Sequence, residues 1–280
     1  MNSTLSHLSH RSTRSYLAGI SPGSSKSLKS GICRTRVRQI SRGFTLVEIA
    51  IAIFITALLL GSILVPLTTR VEQRQISETQ KALEAIKEAL LGHAVVKGYL
   101  PCPDKTTGAT TGPNDTPNDG VEDVNAGVCV ATSQGNVPWA TLGVGASDVW
   151  GNRFRYHVTA AYAQRSPVVL NLLTAATINV CTVNGCPAAN TRLTGTSPDG
   201  AVAVIISLGK NGFGAINANT GTANPAPTSL DENENVAGPS TFVSRTMTPV
   251  GSPAGEFDDI VTWLSKPTLF NRMVSAGKLP

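Results

Sequence analysis

The sequence predicts an α+β chain in which one long N-terminal helix, apolar in its first half and amphipathic in its second, packs on an antiparallel β-sheet domain with long loops. Three observations predict it. Residues 44–67 are apolar or uncharged apart from Glu48. Apolar positions then recur at helical spacing as far as residue 98. Residues 99–280 are rich in Gly, Pro, Thr, Asn and Val and poor in charge, which favours strands and turns.

Residues 1–43 come first and are set apart from the fold. They hold eight basic side chains (Arg11, Arg14, Lys26, Lys29, Arg34, Arg36, Arg38 and Arg42) and no acidic one. The rest is mostly Ser, Gly and Leu without a helical stripe, too little apolar area to fold. Such an excess of Lys and Arg holds its side of a membrane in the cytoplasm. The whole chain carries 23 basic and 18 acidic groups, net +5. Without the eight leader cations the balance is 15 against 18, net −3. The basic character therefore belongs to the leader, and overall charge gives no reason to expect a nucleic-acid partner.

The 24 residues from Phe44 to Leu67 contain one charge, Glu48. At helical rise they reach about 36 Å, enough to cross a hydrocarbon core of about 30 Å. An acidic side chain at mid-bilayer costs roughly 2.5 to 3.5 kcal/mol, so Glu48 asks for a partner. A new amino group on Phe44, made by cutting after Gly43, would supply one.

Arg42-Gly43-Phe44-Thr45-Leu46-Val47-Glu48 resembles the prepilin cleavage and methylation motif of type IV pilins and type II secretion pseudopilins. The resemblance implies cutting between Gly43 and Phe44 by a prepilin peptidase and methylation of the Phe44 amine. It also implies an assembly role for Glu48, which neutralises the terminal amine of a neighbouring subunit. The fold implied is pilin-like. An ordinary signal anchor with a stray Glu is the competing reading. Leaders in this family are usually much shorter than residues 1–43. A start at Val37, read as an initiating Met, would leave a short leader from Val37 to Gly43, and N-terminal sequencing of the uncut precursor distinguishes the two.

From 68 to 98 the helix continues. Ile76, Thr79, Leu83, Ile86 and Leu90 recur at +3 and +4, with Glu78, Lys81, Glu84, Lys87 and Glu88 mostly on the other faces. Gly98 and Pro101 mark its end. Gly61 and Pro66, inside the helix, permit a kink or local melting. A coiled-coil dimer would read similarly, but only about two heptads are present.

Residues 99–280 amount to one core's worth of chain, expected outside the membrane. Candidate strands are Phe154–Thr159, Val168–Leu173, Thr177–Val183, Val202–Ser207 and Ile260–Leu264. Two long loops, Asp104–Gly127 and Lys210–Gly255, separate them. Cys33 lies in the leader, leaving Cys102, Cys129, Cys181 and Cys186. An even count suits two disulfides in an exported domain. Cys181 and Cys186 bracket Asn184-Gly185, a hairpin turn signal, which leaves Cys102 for Cys129. Zinc also takes four cysteines, but these spacings lack CxxC.

Further segments resemble pseudopilins. Asp148-Val149-Trp150-Gly151-Asn152-Arg153-Phe154-Arg155-Tyr156 looks like their Asp-x-Trp-Gly-Asn lead into the sheet. Ser207-Leu208-Gly209-Lys210-Asn211-Gly212 looks like their Ser-x-Gly-x-Asp-Gly turn. Glu256-Phe257-Asp258-Asp259-Ile260-Val261-Thr262-Trp263 resembles their acidic-Ile-x-x-Trp end of the sheet. Trp150, Tyr156 and Trp263 read first as core. In major pseudopilins the turn after the sheet binds calcium through Asp side chains; Asn211 stands here where Asp is usual. Asp231, Glu232, Asn233, Glu234 and Asn235 crowd one loop and Asp258 and Asp259 follow, so Asn211, Asp231, Asp258 and Asp259 are candidate Ca²⁺ ligands, with a solvated acidic loop as the alternative.

No GxSxG, GxxxxGK[ST] or HExxH occurs, and Asp258 and Asp259, if in a strand, would point to opposite faces. A structural subunit is therefore expected rather than an enzyme: a single-pass inner-membrane protein with a periplasmic C-terminal domain, assembled into a periplasmic or surface filament. The expected partners are other pilin or pseudopilin subunits, prepilin peptidase, the inner-membrane assembly platform and lipid. Secretion pseudopilus and type IV pilus stay open. The alternative is a membrane-anchored periplasmic binding domain that does not assemble.

Overall fold

The computed structural model describes residues 43–108, 115–130, 134–165 and 170–279, and within the first helix the backbone alone for 62–68. Residues 1–42 of the expected leader, with Cys33 and the alternative start at Val37, lie outside the described residues. By compactness the chain divides into two units, Met1–Thr56 and Ala57–Pro280.

Helix α1 spans Leu46–Lys97, and its helical backbone includes both Gly61 and Pro66. From Phe44, just before its start, to Leu60 the large apolar side chains are 49–84 % exposed, uncovered by the other described residues. Among the described residues no helix is long and apolar enough to cross a membrane; the side chains of 62–68, the end of the expected span, are outside that search. Further along, Thr79, Leu83, Ile86, Leu90, Leu91 and Ala94 are buried, the stripe that the +3/+4 spacing requires. The helix stops at Gly98, whose φ of 85° is open to glycine and whose N–H closes on the Ala94 carbonyl at 2.8 Å.

In the second unit, residues Gln134–Asn136 (β3), Arg155–Val158 (β4), Ala201–Ser207 (β6) and Ile260–Ser265 (β8) form an antiparallel sheet in the order β3-β4-β6-β8. All seven residues of β6 are buried. Ala203 and Ile205 join a core with Leu83, Ile86, Leu90 and Tyr156. Val204 and Ile206 face a second core with Ile178, Val180, Leu208 and Phe242. A central strand buried on both sides needs an unbroken apolar run, and Ala201–Ile206 is one. Two shorter pairs complete the strands: a hairpin of Val124–Asn125 (β1) and Val128–Cys129 (β2), and Asn179–Cys181 (β5) beside Thr241–Val243 (β7). Among the described residues the remaining α-helices are Trp139–Leu142 (α2), Leu230–Ala237 (α3) and Lys266–Ser275 (α4). The class is thus α+β, with an N-terminal helix and antiparallel sheets.

Several expectations are corrected. The described part of Val168–Leu173 is no strand. Asn171 turns the chain by accepting the Leu173 N–H at 2.8 Å and leaves Leu173 88 % exposed. Thr177–Val183 contains a strand only over β5, and β5 pairs with β7 in parallel rather than folding back on itself. No hairpin therefore joins Cys181 to Cys186: the Asn184 N–H is drawn to Asp231 Oδ1 at 3.0 Å. The loop 210–255 contains a helix, α3, and a strand, β7.

Candidate functional site

At the start of α1, Thr45 is the N-cap. Its carbonyl accepts the Ile49 N–H at 3.2 Å, and its hydroxyl accepts the Glu48 N–H at 3.2 Å. In return Glu48 Oε2 accepts the Thr45 N–H and hydroxyl, both at 3.0 Å. This is a capping box, with Thr at the cap and Glu at the third helical position. The signal, Thr-x-x-Glu, stands in the sequence, beside the intermolecular role that the motif's resemblance implies for Glu48. The box fixes a carboxylate one turn from Phe44, on a helix whose apolar side chains stand bare. Gly43 has open space around it, with no atom within 4 Å of an added Cβ.

The second site lies where the β6–α3 connection meets the entry to β8. Carboxylate oxygens of Glu232, Asp258 and Asp259 lie within 4.8 Å of one another. α3 supplies Glu232, which is 2 % exposed, and Asp259 is 5 % exposed. Asn211 holds two of the three: its backbone N–H reaches Asp258 Oδ2 at 2.8 Å and its Nδ2 reaches Glu232 Oε1 at 3.1 Å. The Asn235 amide donates to Asp259 Oδ2 at 2.7 Å. Gly209 makes the approach of Asp258 possible, because at its φ of 65° a Cβ would stand 2.1 Å from Asp258 Oδ1. Burial pushes the carboxyls of Glu232 and Asp258 up from their ordinary values and that of Asp259 well up. Glu232 Oε2 and Asp258 Oδ1 are buried without a hydrogen-bond partner among the described residues. Three convergent carboxylates with vacant lone pairs fit a hard cation such as Ca²⁺, which takes oxygen ligands only.

The set differs from the sequence expectation in three ways. Asp231 is turned away, its carboxylate held by Arg245 Nε at 2.6 Å and by the Asn184 N–H. Glu232, one residue on, takes its place. Asn211 contributes donors, and its side-chain oxygen is spent on the Phe213 N–H at 3.0 Å. Asp258 and Asp259 precede β8 rather than lying in it, so they converge instead of facing opposite ways.

Disulfides join Cys102 to Cys129 and Cys181 to Cys186. The first closes the 104–127 loop; inside it Asp104, fully buried, accepts the Asn118 and Gly120 N–H groups at 2.8 and 2.9 Å. Tyr156 is core, with its hydroxyl on the Pro101 carbonyl at 3.2 Å, while Trp150 and Trp263 are partly buried against the two cores.

Residues 38–64 match the family model of the prokaryotic N-terminal methylation motif. The chain therefore carries the signature of type IV pilins and pseudopilins, and the motif indicates a pilin-type structural subunit. No curated protein and no solved structure matches the chain.

Proposed function

We propose that this chain is a filament subunit of a type II secretion pseudopilus or a type IV pilus. Prepilin peptidase cuts after Gly43, the Phe44 amine is methylated, and residues 44–67 hold the subunit in the inner membrane with the 99–280 domain in the periplasm. The observation that carries the reading is the methylation motif at 38–64, which runs into a helix whose apolar side chains are uncovered among the described residues. Bare apolar helices are content in lipid and equally so in a bundle of like helices, so close packing and polar contacts decide between the two. Glu48 supplies the polar contact. Its charge is tolerated in the bundle beside a neighbour's terminal amine, which fixes the axial register. The capping box helps, because it orients the carboxylate before any neighbour arrives.

The same reading includes a Ca²⁺ ion on Glu232, Asp258 and Asp259, supported by the two unpartnered buried oxygens there. The ion would tie α3 to the edge of β8.

The test of assembly is Glu48→Ala in a strain producing the filament. The variant reaches the membrane in normal amount and is cleaved, yet is absent from sheared or purified filaments. Normal incorporation refutes the role of Glu48. Gly43→Val leaves uncut precursor on a gel, since the peptidase reads the small residue before the cut.

A further inference from the structure

We propose that Lys105 and Asp115 condense to an intramolecular amide, a covalent brace inside the 104–127 loop. The pair lies apart from both sites above. Lys105 Nζ contacts Asp115 Oδ1, and the two side chains are only 9 % and 2 % exposed. A third carboxylate, Asp123, is 1 % exposed, accepts the Lys105 backbone N–H and interacts electrostatically with both side chains. Cys102–Cys129 encloses all three residues.

Keeping an ammonium and a carboxylate out of water costs several kcal/mol per ion. Moving one proton from Nζ to Asp115 removes both charges and leaves an amine facing a carboxylic acid, the reactive pair for amide formation. The Nζ lone pair then attacks Asp115 Cγ. The Nζ–Cγ bond forms and one Cγ–O bond breaks. The oxygen leaves as water, carrying the acid's proton and one from the amine. Asp123, buried in the same loop, interacts electrostatically with both groups, and burial raises its carboxyl to about 6. Nothing is oxidised or reduced, and no further reactant is needed. Reacting groups held together behave as if at effective concentrations of about 10⁵–10⁸ M, and exclusion of water removes the reagent for the reverse step.

The test is peptide mass spectrometry on the full chain purified from membranes, denatured, with its disulfides reduced and alkylated, then digested with trypsin. Cleavage after Lys97, Lys105 and Arg153 is the ordinary outcome, giving fragments 98–105 and 106–153. An amide on Lys105 blocks the middle cut. The expected product is a single 98–153 fragment lighter by one water, about 18 Da, with the loss bridging Lys105 and Asp115 on fragmentation. Lys105→Arg keeps a cation but cannot form this amide, and restores the full mass. Recovery of free 98–105 from the wild type overturns the proposal. So does a water loss that persists in Lys105→Arg, because that would belong to cyclisation at Asp119-Gly120.

Discussion

Replacing Glu232 by Gln separates the ligand role proposed for its carboxylate from its part in the repulsion within the cluster. The oxygens of Glu232, Asp258 and Asp259 lie within 4.8 Å of one another. At an effective dielectric of about 20, two charges at that distance repel by about 3.5 kcal/mol, a ceiling that protonation lowers. Gln at 232 removes one member of the repelling set. Its amide can still accept from Asn211 and can donate towards the two aspartates. In chelator, therefore, Glu232→Gln melts at or above the wild-type temperature. With Ca²⁺ the order reverses. Exported Ca²⁺ modules bind with Kd of about 10⁻⁴–10⁻³ M, so 10 mM ion stabilises the wild type by about 1.4 to 2.7 kcal/mol. For a domain of this size that raises Tm by about 3 to 10 °C. The assay is thermal melting of the detergent-purified chain in chelator and in 10 mM Ca²⁺, with Mg²⁺ as control. Identical wild-type melting in the two buffers refutes the site. A Ca²⁺ shift retained in full by Glu232→Gln refutes the ligand assignment.

Other outcomes follow from the same geometry. Gly209→Ala must place a Cβ 2.1 Å from Asp258 Oδ1, so it costs about 2 to 3 kcal/mol in chemical denaturation. Gly143→Ala, with a nearly equal φ of 67° and open space, isolates the backbone part at about 1 kcal/mol; equal costs for the two would show that Asp258 simply moves aside. His157 is buried beside Phe242, and burial, aided by Arg155, pushes its pKa down to about 4. The unfolded chain takes up that proton first, so this histidine's contribution is present above about pH 6.5 and is lost as pH falls towards 4. Relative to His157→Phe, which does not titrate, the wild type therefore loses stability across that window; parallel pH profiles would contradict the assignment.

Much of the fold could be read locally. Leu83, Ile86 and Leu90 mark the buried face of α1 by spacing alone, and β6 follows from the run Ala201–Ile206 because only a strand covered on both sides needs such a run. No helix is expected from the sequence after the last strand, although Ser265 before Lys266-Pro267 is an N-cap followed by a proline in the first turn, and its hydroxyl accepts the Thr268 N–H. What local pattern could not supply was partnership at a distance. β5 and β7 pair across about sixty intervening residues, and nothing in Asn179–Cys181 names Thr241–Val243. The proposed cation site shows the same limit. Asp231 and Glu232 are neighbours in sequence, but on a helix they point about 100° apart, so the fold sends one to Arg245 and the other into the cluster. Composition suggested an acidic site; only the tertiary placement of α3 selects its members. The capping box of Thr45 and Glu48 is local in sequence, yet from the sequence that glutamate is assigned an intermolecular role alone.

The amino terminus of the membrane-borne protein decides the main proposition. Intact-mass and N-terminal peptide analysis of the chain isolated from membranes should give a polypeptide beginning at Phe44 with one methyl group on its amine. A chain still continuous with the basic residues before Gly43, or beginning at an unmethylated residue elsewhere, would contradict it.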